Sequence, residues 1–286
     1  MGKSYHFISG LPRSGSTLLA AILRQNPRLH AAMTSPVGSL FSSLHTTMGQ
    51  QNEFSEFIAE QQRERILRGL FDLYYQDFAQ DVILDTNRLW CARLPLLLRL
   101  FPDAKILCTV RNVAWVMDSI ERLVRKNALQ PSRLFNGPAE SDTVYHRVEA
   151  LAGRDRFVGF SYYALKEAFY SPEARNILII DYDLLAQSPA KVLPLIYGFL
   201  GEPAYAHNFD NLDYQEPGFD ARVGLHGLHE VKRKVALQPR PTVLPPDLFQ
   251  QYSQLDFWKN SGGSAASVIS ATVPTAPIAS ATPISL

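Results

Sequence analysis

Gly10-Leu11-Pro12-Arg13-Ser14-Gly15-Ser16-Thr17 is the stretch that decides the fold. It follows a short apolar run, Tyr5-His6-Phe7-Ile8-Ser9, and precedes Leu18-Leu19-Ala20-Ala21-Ile22-Leu23. Its spacing is that of the phosphate-binding pattern G-x-x-x-x-G-K-[ST], with Ser16 standing where the lysine belongs. With a strand before the turn and a helix after it, the backbone N–H groups and the positive helix end together make an anion site. Arg13 adds a cationic fork, and Ser14, Ser16 and Thr17 add hydroxyl donors. A nucleotide hydrolase would need the lysine, and an aspartate to help hold magnesium. The next strongly apolar strand instead ends in Val110-Arg111, which points away from magnesium-dependent phosphoryl transfer.

Outward from the loop, strands and helices alternate. Residues 4–9 read as a buried strand, and a helix runs from Ser16 to about Gln25, ended by Asn26-Pro27. Apolar residues at helical spacing predict one long amphipathic helix over 53–80. A short strand at 82–84 precedes a helix over 92–101, and Phe101-Pro102-Asp103-Ala104 turns into the strand 105–110, apolar on both faces as a buried parallel strand should be. Helices follow over 114–127 and 144–170, then a strand at 176–180 and a helix at 190–200 closed by Gly201. The alternation predicts an α/β protein with a central parallel sheet and helices on both faces, a three-layer α/β/α arrangement. Residues 202–250 are less regular, rich in proline, with the basic run Lys232-Arg233-Lys234. From Ser261 to Leu286 the chain has no charged and no aromatic residue, which reads as a disordered tail.

The bulk numbers limit the function classes. The 286 residues carry a net charge of +1, so no global field draws the chain to nucleic acid and any anion site must be local. Cys91 and Cys108 have neither a disulfide framework nor metal-ligand spacing, and no metal is expected. The N-terminus has no signal-peptide pattern and no apolar run reaches transmembrane length, so a cytoplasmic protein is expected. The oligomeric state, monomer or homodimer, is left open.

A second signal lies at Arg111-Asn112-Val113-Ala114-Trp115-Val116-Met117-Asp118-Ser119. Arg111 ends a buried strand, at the edge where open α/β sheets bind ligands. Ser119 lies eight residues on, about two helical turns into the next element. The two could grip one phosphate. Taken with Pro12-Arg13-Ser14-Gly15-Ser16-Thr17, this pair resembles the sulfotransferase superfamily, whose members take a sulfuryl group from 3′-phosphoadenosine 5′-phosphosulfate (PAPS) and leave 3′,5′-ADP. The texture is similar to the tyrosylprotein sulfotransferase branch, bacterial type: Thr86-Asn87-Arg88, Ile180-Asp181-Tyr182-Asp183-Leu184, Ser188-Pro189, and Glu230-Val231-Lys232. The likeness spans roughly residues 5–250, within a domain over 1–258 and a low-complexity tail over 259–286.

The resemblance implies that Arg13, Ser14, Gly15, Ser16 and Thr17 cradle the 5′-phosphosulfate and that Arg111 and Ser119 hold the 3′-phosphate. It places Arg88 on the sulfuryl group, Tyr182 on the nucleotide and Lys232 in the loop that closes over it. The acceptor would be a hydroxyl on a protein tyrosine, a carbohydrate or a small molecule. The branch has a catalytic glutamate about twenty residues beyond the loop arginine, but this chain reads Met33-Thr34-Ser35-Pro36 there. His45 is then the expected base, since a neutral imidazole suits removal of a hydroxyl proton, with His30 and Asp85 as rivals. Two other readings stand beside this one: a P-loop kinase or NTPase with an altered loop, and a degenerate module that binds nucleotide without turnover.

Overall fold

The computed structural model describes residues 2–49, 52–129, 132–212, 214, 216–223, 225–260 and 262–270. In chain order the elements are β1 (Ser4–Gly10), α1 (Ser16–Leu23), β2 (Leu29–Ala31), α2 (Val37–Thr47), α3 (Glu60–Tyr75), β3 (Val82–Thr86), α4 (Leu89–Ala92), α5 (Leu94–Leu100), β4 (Ile106–Val110) and α6 (Val113–Lys126). There follow α7 (Pro138–Ser141), α8 (Val144–Ala152), α9 (Gly159–Phe169), β5 (Ile177–Asp181), α10 (Tyr182–Gln187), α11 (Pro189–Leu200), α12 (Pro217–Val223), α13 (Pro246–Ser253) and β6 (Ser267–Ile269). The strands form one sheet in the order β2-β3-β1-β4-β5-β6, every pair parallel.

Strand side chains alternate between two cores. Phe7, Ile83, Ile106, Cys108, Ile177 and Ile179 join one apolar cluster, with α2, α3, α6 and α9 packed over it. Their neighbours Ile8, Val82, Leu84, Leu107, Leu178 and Ile180 join the other, covered by α1 and α11. Both faces are therefore covered, and the strands read as largely apolar runs. This is the three-layer α/β/α arrangement expected. Because all strands run the same way, the carboxyl ends of β1, β3 and β4 meet at one edge, and loop 10–15 opens there.

Four expected elements differ. The predicted helix over 53–80 is broken: a short 3₁₀ turn at Glu53–Phe57 is followed by extended Ile58 and Ala59. Arg63 donates to the carbonyls of Ser55 and Ile58, and Gln62 Oε1 accepts from the Ala59 N–H at 2.8 Å, so the break is capped on both sides. The helix expected over 92–101 belongs to two pieces, α4 and α5, with Pro95 in the first turn of the second, where its missing N–H is harmless. The helix expected over 144–170 is α8 and α9, parted at Gly153. Residues 259–286 are not simply a tail. Ser267–Ile269 pairs with Leu178–Ile180 as the last strand of the sheet, and Ile269 is buried. Residues 261 and 271–286 lie outside the described residues.

Candidate active site

The loop takes its shape from three residues with positive φ, Gly10, Arg13 and Gly15. Gly15, at φ 93°, sits against Tyr182, and a Cβ there would lie 2.5 Å from Tyr182 Cδ2. Arg13 adopts φ 56°, the left-handed region that a side chain enters at a cost of about 1–2 kcal/mol. That strain is held by tertiary contacts, as is usual at functional sites. Arg13 Nε donates to Ser119 Oγ at 3.1 Å, and its Nη1 donates to the Leu228 carbonyl. The two sequence motifs are thus joined directly.

Around them lies a cleft of about 270 Å³. Among the described residues its lining includes Gly15, Ser16, Thr17, Ser119 and Tyr182, with six cations (Arg13, Arg88, Arg111, Lys232, Lys234, Arg240) and one carboxylate, Glu230. Arg111 lies over the Tyr182 ring at 4.6 Å. Its Nε pairs with Asp183 Oδ1 at 3.2 Å in a geometry that completes no hydrogen bond, so the ion pair leaves the donor poorly aligned. Arg88 stacks on Phe157 at 4.3 Å. Burial lowers the pKa of both Arg13 and Arg88 to about 10, which leaves both charged at neutral pH. Segment 228–243 covers the cleft. It is tied down by Asp118, which accepts from Val243 N–H at 2.7 Å and Thr242 Oγ1 at 3.0 Å and pairs with Arg240 at 2.6 Å.

A second cavity, about 170 Å³, adjoins the first and shares Ser16, Arg88, Leu228 and His229 with it. At this junction His229 Nδ1 lies 2.6 Å from Asp220 Oδ1, and the His229 N–H donates to Asp220 Oδ2 at 2.9 Å. Asp220 is buried. A carboxylate on Nδ1 makes that nitrogen the donor and leaves Nε2 as the acceptor of the neutral ring. Burial chiefly lowers the His229 pKa. Asp220 pushes it up, and Arg13 and Arg88 push it further down.

The fold has known counterparts. A sulfotransferase family model matches residues 6–206. The chain belongs to the sulfotransferase family. The sulfotransferase domain from the curacin biosynthetic pathway superposes with a TM-score of 0.53 at 17% identity, covering 88% of this chain and 96% of that one, which shows a shared fold. The corresponding domain of the Synechococcus PCC 7002 olefin synthase gives a TM-score of 0.47 at 19% identity over 88% of this chain and 94% of that one. A sulfotransferase from Alicyclobacillus acidocaldarius gives 0.49 at 16% identity over 78% and 90%. No curated protein sequence matches this one.

In this sulfotransferase one cleft is lined by Arg13, Gly15, Ser16, Thr17, Arg88, Arg111, Ser119, Tyr182 and Lys232. Ser14 departs from it. Its side chain is fully buried and bonded to the Leu11 carbonyl, the Thr109 carbonyl and Thr109 Oγ1, so it braces the turn against β4 and is not among the residues lining the cleft. His45 departs too. It lies one turn past Phe41 on α2, stacked on that ring, and lines neither cavity. His30 packs on Tyr75 and Phe78. Asp85 is buried among Ser35, Tyr75 and Trp90. The residues that sequence reasoning missed are His229, Asp220 and Arg240. The signal present for the first is two histidines in Gly224-Leu225-His226-Gly227-Leu228-His229-Glu230, within an irregular, proline-rich stretch. Among the described residues no helix is long and apolar enough to cross a membrane.

Proposed function

We propose that this sulfotransferase uses PAPS and an acceptor hydroxyl, with His229 as the base. The observation that carries the reading is the cleft itself: six cations against one carboxylate, in a chain of net charge +1. Such a site suits a ligand with several anionic groups. The donor supplies a sulfuryl group and departs as 3′,5′-ADP. Ser16, Thr17 and the N–H groups at the start of α1 hold its 5′ end. Arg111, whose Nε makes no hydrogen bond to Asp183 despite their ion pair, takes the 3′-phosphate together with Ser119 and Arg240. Arg13 and Arg88 face charge that builds on the sulfuryl oxygens and the leaving phosphate. His229 Nε2 takes the acceptor proton as the new O–S bond forms and the old S–O bond breaks, and Asp220 steadies the imidazolium. A sulfuryl group carries less charge than a terminal phosphoryl group, so arginines and hydroxyls suffice where a kinase loop has lysine.

The kinase reading calls for a carboxylate close to Thr17. The acidic lining residue, Glu230, lies on the covering segment instead. Thermal stabilisation by 3′,5′-ADP is compared with that by ADP plus Mg²⁺, and PAPS consumption is then followed with phenols, peptides and sugars. Stabilisation by 3′,5′-ADP is expected, and preference for Mg-ADP overturns the proposal. Arg111→Ala should weaken 3′,5′-ADP by about 2–5 kcal/mol, the usual cost of removing one partner of a buried charge pair. It should leave 5′-AMP far less affected. Equal losses would show that Arg111 does not read the 3′-phosphate.

A further inference from the structure

We infer that the outward face of α3 is a dimer interface, on which a second copy of this chain packs its own α3 antiparallel. The two helices cross at Gly69, and Arg65 of each copy meets Asp72 of the other.

The helical repeat defines the face. Leu67, Phe71 and Tyr75 recur every four residues along α3 and are buried in the core. At about 100° per residue, Ile66, Gly69 and Leu73 fall on the opposite side of the helix. A helix with one face in the core normally carries polar and charged residues there. Here Ile66 is 41% exposed and Leu73 is 69% exposed. The apolar character continues along one flank. Tyr74 lies on that flank, 36% exposed. Arg63 lies there too and donates to the carbonyls of Ser55 and Ile58, beside the turn that carries Phe54 and Phe57, 61% and 81% exposed. Single exposed apolar residues are ordinary on a soluble protein, but a run of large ones on one face marks a binding surface.

Gly69 is the second observation. Glycine weakens a helix interior relative to alanine. Packing within this chain does not call for it: among the described residues, no atom outside its own stretch of helix lies within 4 Å of a Cβ built there. The distance between packed helices depends on the side chains at the contact. A glycine between Ile66 and Leu73 therefore lets a second helix come close.

Charge selects the partner and its direction. The other flank of the stripe carries Arg65 and Asp72. Among the described residues neither has an ion-pair partner, while Glu60 and Glu64 both pair with Arg99. Asp72 Oδ1 accepts from the Tyr5 hydroxyl at 2.9 Å, which steadies the carboxylate. Arg65 and Asp72 sit about 10 Å apart along the axis, too far to pair with each other. A two-fold axis at Gly69 that reverses the helix sets each flank against the same flank of the copy. Arg65 and Asp72 lie on either side of Gly69 at nearly equal distances, so each meets the other's counterpart and two ion pairs form. The apolar flank meets its own apolar counterpart. A parallel pair would set the charged flank against the apolar one. The surface is thus complementary to itself in one orientation, as a two-fold interface requires.

The test is sedimentation equilibrium of the full chain, with circular dichroism to check that each variant is folded. A dimer is expected. Leu73→Lys and Gly69→Leu should each raise its dissociation constant at least tenfold, about 1.4 kcal/mol. Leucine forms helix better than glycine, so a loss in Gly69→Leu reports the crossing and not the helix. Arg65→Glu and Asp72→Arg should each weaken the dimer, and together they should return it to within about threefold of wild type, as a pairwise coupling demands. A chain still monomeric at about 100 μM, where only a very weak self-association would escape detection, overturns the inference, even if the face then binds phospholipid vesicles. A dimer indifferent to Leu73→Lys and Gly69→Leu overturns it too, since it is then built elsewhere. A double charge reversal that recovers nothing overturns the antiparallel pairing.

Discussion

His229 is mostly buried, within the fields of two arginines, and that position sets which way its pKa moves. Burial and the fields of Arg13 and Arg88 disfavour the imidazolium, while Asp220 favours it, and the net shift is downward from 6.5. A lowered pKa keeps the ring neutral at pH 7, the form a base needs. In the ligand-free protein the His229 imidazole should therefore titrate below 6.5. Bound 3′,5′-ADP should raise that midpoint, because its negative charge offsets the two arginines. Asp220→Asn should lower it further by removing the one favourable charge. Histidine NMR titrations read all three. A midpoint above 6.5 in the free protein, or none that responds to the ligand, would show that His229 does not sit in this field.

At the scale of elements, what the sequence made legible depended on how much each element buries. β1, β3, β4 and β5 bury side chains on both faces, so they appear as largely apolar runs without polar alternation. β2 and β6 are three residues each at the two sheet edges, too short to leave a pattern. The loop and the Arg111-Ser119 pair were readable because a local spacing carries their chemistry. His229 and Asp220 were not: nine residues apart and outside any regular repeat, they meet only because the chain folds back after α12. Asp85 marks the same limit from the other side. The sequence offers it as a rival base, but it is a brace, accepting from Ser35 Oγ at 2.5 Å, Tyr75 hydroxyl at 2.5 Å and Trp90 Nε1 at 2.8 Å. It ties the approach to α2, the end of α3 and the start of α4 to β3. Asp85→Ala strands three donors, at about 1–3 kcal/mol each before coupling is allowed for. A loss of about 3 kcal/mol in denaturant unfolding is expected. A loss below about 1 kcal/mol, less than one stranded donor should cost, would mean the brace is dispensable.

At the scale of the molecule, the near-zero net charge hides a sharp local imbalance, and the covering segment 228–243 helps to make it. That segment has no helix or strand of its own, so its position rests on ties to its surroundings. The Leu228 carbonyl accepts from Arg13, Val235 N–H donates to the Phe209 carbonyl at 2.8 Å, and Arg233 carbonyl accepts from Leu212 N–H at 2.7 Å. At the far end Asp118, fully buried on α6 one residue before Ser119, gathers Arg240, Thr242 and Val243. Arg122 shares the same carboxylate at 3.1 Å. The carboxylate therefore fixes both the strap and the direction of Arg240, without lining the cleft itself. Asp118→Asn keeps one acceptor oxygen but loses the charge that holds Arg240. The expected result is a tenfold rise in the KM for PAPS, about 1.4 kcal/mol, with kcat changed less than twofold, because Arg13, Arg88 and His229 keep their own ties. Proteolysis within 228–243 should quicken in the free variant and slow again when 3′,5′-ADP is added. A collapse of kcat at constant KM would show instead that Asp118 acts on the reacting groups, and unaltered proteolysis would show that the strap is held by its other contacts alone.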